Sequence, residues 1–199
     1  MNLKILCWQR FFHVLTRPAQ LLRKVLLQFI KDNFDRSIRR YFYKQIEFLR
    51  MDVVELSVEA SRRLVKEFGD RIVAVSLFGS WARGEASERS DVDFFVVVRD
   101  FDESDRRFRI YDCLQKVVKR DVTVIDIDEE KLFREDLSIG SLLLNIAWDS
   151  IILYDPSGRL RELFERIRRA AAERLERYRT RDGKYGWRPR TGEFTAIEV

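Results

Sequence analysis

The sequence contains one histidine, His13, two cysteines, Cys7 and Cys113, three prolines and eight glycines in 199 residues. A single histidine excludes a metal centre built from several imidazoles, so carboxylates remain as the groups for metal or acid–base chemistry. His13 itself reads as a surface or packing residue. The two cysteines lack metal-ligand or redox spacing, which excludes a zinc ribbon or a disulfide scaffold and suggests a reducing, cytoplasmic setting. Sparse glycine and proline exclude a low-complexity chain. No run approaches the ~20 apolar residues of a membrane span; Arg10, Arg17, Arg23 and Lys24 interrupt the apolar stretch near the start. Residues 1–8 faintly resemble a secretory signal but have neither a clean apolar core nor a small-residue cleavage site.

What is present is charge, unevenly distributed. Charged residues make up 36 % of the chain and hydrophobic ones 46 %, enough for a real core. Residues 1–50 carry a net +8, residues 51–155 a net −8 and residues 156–199 a net +5. An acidic middle between basic ends suggests three zones: a basic helical extension over 1–50, a catalytic domain over 51–155, and a helix with a basic tail over 156–199. Such a split is not that of a uniformly basic nucleic-acid binder. The acidic middle suits a site that gathers divalent cations.

Hydrophobic periodicity predicts amphipathic helices over 3–30, interrupted near Pro18, and over 34–50. These read as an appendage that packs on the body or a partner, in preference to a membrane-surface helix, and Met51 is an alternative start. A helix follows over 53–68, then an apolar strand over 71–78 and a short helix at 81–83. A second strand spans 91–98. A helix over 103–119 has Phe108, Tyr111, Leu114 and Val118 on one face. A third strand spans 121–127, helical sequence runs over 129–148, and a short strand or turn lies near 150–154. A long Arg/Glu helix is expected over 159–179, with a loosely structured tail beyond Thr180. The order implies an α/β (α+β) domain in which helices flank a small mixed sheet of three to four strands.

The segment that carries chemistry runs from Leu77-Phe78-Gly79-Ser80-Trp81-Ala82-Arg83-Gly84 to Ser90-Asp91-Val92-Asp93. In an extended strand Asp91 and Asp93 project to the same face. Two carboxylates so placed repel unless a cation lies between them, and hard oxygen ligands suit Mg2+ or Mn2+. Gly79 lets backbone approach a phosphate without a β-carbon in the way. Ser80 adds a hydroxyl at the following helix start, and Arg83, one turn on, reaches toward the same anion. Asp121, at the start of the third strand, is the expected third carboxylate, to bridge a metal or take a proton. Asp126 and Asp128 are rivals at the far end of that strand. Each piece alone is commonly structural; the ordered combination is much more specific.

This constellation, over about residues 53–124, resembles the nucleotidyltransferase superfamily of DNA polymerase β. Gly79-Ser80 with Asp91 and Asp93 match the superfamily motif; Ala82-Arg83-Gly84 and Ser90 match its minimal, stand-alone branch. The resemblance implies the nucleotidyltransferase fold and two-metal transfer of a nucleoside monophosphate, AMP from ATP in the first instance, to a hydroxyl. Gly79, Ser80, Arg83 and Ser90 are then nucleotide-binding, and Asp91, Asp93 and Asp121 hold the metals and perform catalysis. Some minimal members resemble antitoxins that adenylylate a helical HEPN-type toxin, which makes a protein acceptor or partner the leading expectation, with an oligomer in view. Other members modify aminoglycosides, so a small-molecule acceptor remains open; the further alternatives are a non-catalytic binding antitoxin and an RNA-directed enzyme. The latter rests only on Tyr185 and Trp187 among the basic residues of the tail, and nucleic acid is not the favoured partner.

Overall fold

The computed structural model describes residues 53–87, 89–181, 183–191 and 197–198, within a unit that spans Met51–Val199. The helices expected before Met51, with His13 and Cys7, lie outside the described residues.

Helix α1, Val53–Phe68, buries Val53, Leu56, Ala60, Leu64 and Phe68, the stripe expected of a 3.6-residue repeat. Gly69 follows with φ +60, and a single 3-10 turn leads into β1, Ile72–Phe78. A one-turn helix α2, Gly79–Ala82, and a polar loop connect to β2, Val92–Val98. Helix α3, Arg106–Val118, crosses over to β3, Val122–Asp128.

The expected helix over 129–148 is divided. It comprises α4, Glu129–Leu132, a two-residue strand β4, Ser138–Ile139, and α5, Ser141–Asp149. Strand β5, Ile151–Tyr154, precedes α6, Arg159–Arg174. The last helix therefore stops five residues short of expectation. Strand β6, Leu175–Arg179, turns back along β7, Tyr185–Pro189, and a short β8, Ile197–Glu198, pairs with β4. Helix-favouring Glu and Arg carry the pattern past Arg174, but the cross-strand partners at 185–189 override that local preference. Residues 185–189 of the tail are accordingly part of a hairpin. Within it, the Tyr178 ring lies over Gly186.

The central sheet has order β3-β2-β1-β5. Strand β1 is antiparallel to both β2 and β5, and β2 is parallel to β3, so the sheet is mixed. Strand parity assigns each face its cover. Phe94, Val96 and Val98 pack with α1 and α3, and Phe95 and Val97 pack with α5 and α6. This two-sided burial explains why β2 reads as an unbroken apolar run. Phe108 departs from expectation, being 69 % exposed, whereas Leu114 and Val118 of the expected face are buried, together with Ile110 and Cys113.

Candidate active site

Strand β1 ends at Phe78, which pairs with Asp93 of β2, and the chain then turns at Gly79 with φ +73. A β-carbon on Gly79 would lie 2.1 Å from Asp93 Oδ2. Only glycine allows both that left-handed backbone and that approach. Gly79 and the second aspartate, 14 residues apart in sequence, are thus brought into direct contact by strand pairing.

Asp91 is exposed and Asp93 half-buried. Burial, aided by the neighbouring Asp91 charge, pushes the Asp93 carboxyl up to about 6. A hydrogen bond from the Thr123 hydroxyl and the nearby Arg83 charge act in the opposite sense. Thr123 pairs with Asp93 across β2–β3, and Val122 with Val92, so Asp121 lies at the start of β3 beside the position of Asp91. The Asp121 carbonyl accepts the Val92 N–H at 2.8 Å. Among the described residues, no three His, Cys, Asp or Glu side chains are gathered so as to hold a metal ion. Asp91 and Asp93 are therefore brought together, and Asp121 stands next to them without closing a three-carboxylate cluster. The chemistry of the donor set still fits a divalent cation. Two oxygen-donor side chains share one strand face, and the charge repulsion and burial that disfavour ionised Asp93 are what a bound cation would reverse.

Asp126 and Asp128 are engaged by cations of their own. Asp126, only 2 % exposed, accepts from Arg106 Nε at 2.7 Å and Arg107 Nε at 2.5 Å; Asp128 accepts from Arg106 Nη1 at 2.6 Å. Burial opposes the Asp126 charge, yet the bonds to Arg107 and Arg106 hold its pKa below the ordinary value.

The remaining expected residues have structural partners of their own. The Ser80 carbonyl accepts the Glu85 N–H at 2.9 Å, which closes the loop after α2. Ser90 Oγ accepts the Ser87 N–H at 2.9 Å, and the Ser90 carbonyl accepts Trp81 Nε1 at 3.1 Å. Arg83 donates from Nε to Glu85 at 2.9 Å and from Nη1 to Asp149 at 2.6 Å, and lies 4.8 Å from the Tyr185 ring. Burial works against its charge, but the bonds to Glu85 and Asp149 outweigh that and raise its pKa.

Sequence reasoning missed Thr123, Glu85, Asp149 and Arg177. Thr123 was within reach, because it shares strand parity with Asp121. Asp149 lies 66 residues from Arg83 and 28 from Arg177, and no local pattern connects them.

A strand ending in Gly-Ser against an Asp-x-Asp strand, on a four-stranded mixed sheet flanked by helices, defines a nucleotidyltransferase of the polymerase β type. The family described as "Polymerase beta, Nucleotidyltransferase" matches residues 62–146. A candidate protein adenylyltransferase of Methanocaldococcus jannaschii is 31 % identical over 115 residues, covering 55 % of this chain and 77 % of that protein. A second from the same organism is 36 % identical over 50 residues, 25 % of this chain and 50 % of that protein. The chain belongs to this nucleotidyltransferase family. Among solved structures, a toxin–antitoxin pair with AMP-PNP aligns at TM-score 0.43 and 17 % identity, over 58 % of this chain and 90 % of that one. A candidate nucleotidyltransferase from Sulfolobus solfataricus aligns at TM-score 0.35 and 22 % identity, over 56 % and 86 %. With scores below 0.5, the family assignment rests on the sequence relatives.

Proposed function

We propose that the protein transfers AMP from ATP to a hydroxyl of a protein acceptor. The observation that carries this reading is the Asp91–Asp93 pair on β2, with the Asp93 carboxylate seated against Gly79. Asp91 and Asp93 would hold divalent cations, Mg2+ or Mn2+, with Asp121 as the adjacent carboxylate. When bound, such ions neutralise the triphosphate and stabilise the charge that develops on the leaving pyrophosphate. The chain's own groups do the rest. The backbone at Gly79-Ser80, free of a β-carbon, receives the phosphates, and Ser90 holds the loop that frames them. Arg83 faces their charge. The acceptor oxygen forms a bond to the α-phosphorus, the α–β phosphoanhydride bond breaks, and pyrophosphate departs with the electron pair. Asp121 would take the hydroxyl proton.

A protein acceptor is supported by the candidate protein adenylyltransferase of which the chain covers more than two thirds. The motif-level resemblance to the minimal branch, some of whose members resemble antitoxins, supports a HEPN-type helical toxin as that partner. An RNA acceptor is disfavoured by what engages the aromatic residues of the tail. The Tyr185 hydroxyl donates to Glu85 at 2.6 Å, and Trp187 donates to Asn145 at 2.9 Å while packing edge-on against Trp148. Rings held in this way are not offered for base stacking.

The test is incubation with α-labelled ATP and Mg2+, with and without a co-expressed helical partner, for wild type and Asp93→Asn. Label on protein that disappears with Asp93→Asn is expected. Label on RNA, or equal labelling by the variant, overturns the reading.

A further inference from the structure

The matched family segment ends at residue 146, yet the structure continues past it into the neighbourhood of Asp93. Asp149, the last residue of α5, has a side chain only 4 % exposed, and two guanidiniums converge on it. Arg83 Nη1 reaches Oδ2 at 2.6 Å, while Arg177 of β6 donates Nη1 to Oδ1 at 2.7 Å and Nη2 to Oδ2 at 2.9 Å. Tyr185 of β7 stacks with both cations, at 4.8 Å from Arg83 and 4.0 Å from Arg177. Its hydroxyl donates to Glu85, which in turn accepts Arg83 Nε at 2.9 Å. The β6–β7 hairpin therefore addresses Arg83 through two carboxylates and one ring.

We infer that Asp149, Arg177 and Tyr185 are positioning residues for nucleotide binding, which hold Arg83 as the cation that meets the triphosphate. The inference rests on the nucleotidyltransferase reading above. A guanidinium has five N–H donors. The bonds to Glu85 and Asp149 use two and fix the plane of the fork, which leaves donors for an anion. Because Arg177 takes both Asp149 oxygens, Arg83 shares that carboxylate with a second cation and keeps only one bond to it. A long side chain held in one geometry loses less entropy when it engages a phosphate than a free one does. The hairpin thereby adds pre-organisation to the site from outside the matched segment.

The experiment is a double-mutant cycle on the full chain. Calorimetry with Mg2+–ATP gives Kd for wild type, Tyr185→Phe, Asp149→Asn, Arg83→Lys and the Tyr185→Phe/Arg83→Lys pair. Trp fluorescence reports whether the hairpin, through Trp187, keeps its packing. Tyr185→Phe is expected to weaken binding roughly three- to tenfold, the scale of one hydrogen bond to a charged network, with unchanged fluorescence. In Arg83→Lys the same substitution should add nothing further. If Tyr185→Phe leaves Kd unchanged, or its effect adds in full to that of Arg83→Lys, the positioning role is overturned. The first of these holds even if Asp149→Asn fails to fold. If wild type does not bind Mg2+–ATP, the nucleotidyltransferase reading itself falls and takes this inference with it. That outcome is recognisable because it does not depend on any hairpin variant.

Discussion

The Asp93 carboxylate lies against Gly79 so closely that a β-carbon there would stand 2.1 Å from Oδ2. The contact follows from pairing Phe78 with Asp93 and from a backbone φ of +73 at the next residue. One position thus serves two needs: it turns the chain out of β1, and it leaves room for the Asp93 carboxylate.

Gly79→Ala tests this. The left-handed backbone and the displaced carboxylate together should cost about 1–3 kcal/mol of stability. Mg2+–ATP affinity should fall more steeply than stability, because the carboxylate that must move is a proposed cation ligand. Urea unfolding and calorimetry measure the two effects. A variant that loses stability but binds as wild type would separate Gly79 from the site.

Asp93→Asn should behave differently with pH. The Asp93 carboxyl, at about 6, lies above the 3.8 of a free aspartate, so in metal-free protein the folded state holds its proton more tightly than the unfolded state. Its favourable contribution to stability is complete below 3.8 and is lost as pH rises through 6. With EDTA present, the Asn variant should therefore melt higher than wild type at pH about 8 and show no such advantage at pH about 3.5. Transfer should fall by orders of magnitude. An equal difference in melting temperature at both pH values would contradict the assigned shift.

Arg106→Ala separates the rival carboxylates from the site. It leaves Asp126, 2 % exposed, with only the exposed Arg107 as a partner. A loss of about 2–4 kcal/mol is expected from an under-compensated buried charge, with Mg2+–ATP affinity unchanged. Weakened nucleotide binding at full stability would return Asp126 to the list of candidates.

In the hairpin, a β-carbon at Gly186 would fall 2.6 Å from Tyr178 Cζ. Tyr178 is 40 % exposed, so its ring can swing aside. Gly186→Ala should then cost only about 0.5–1 kcal/mol, the value of one cross-strand pair. A much larger loss, measured by thermal unfolding, would mean that the hairpin cannot yield at that point.

The sequence by itself determined the family and the ordered motif, because these are local. Strand parity put Asp91 and Asp93 on one face, a 3.6-residue repeat marked α1, and an apolar run marked β2. That Asp121 lies beside Asp91 depended on the parallel pairing of β2 with β3, which the sequence left as a condition and the structure supplied. What it mis-stated were elements whose state depends on distant partners. Residues 175–179 read as helix from their Arg and Glu content, but they are strand because 185–189 pair with them. Phe108 read as core on helical spacing, but it is exposed, while Leu114 and Val118 of the same expected face are buried with Ile110 and Cys113. The tertiary structure alone decided that Arg83 shares Asp149 with Arg177, and that Tyr185 reaches Glu85 across 100 residues. The physical reason is that hydrophobic period and turn chemistry are written over a few adjacent residues. The geometry of a buried charge depends on which side chains the completed fold brings within about 3 Å, the range of a hydrogen bond, and no short-range pattern encodes that.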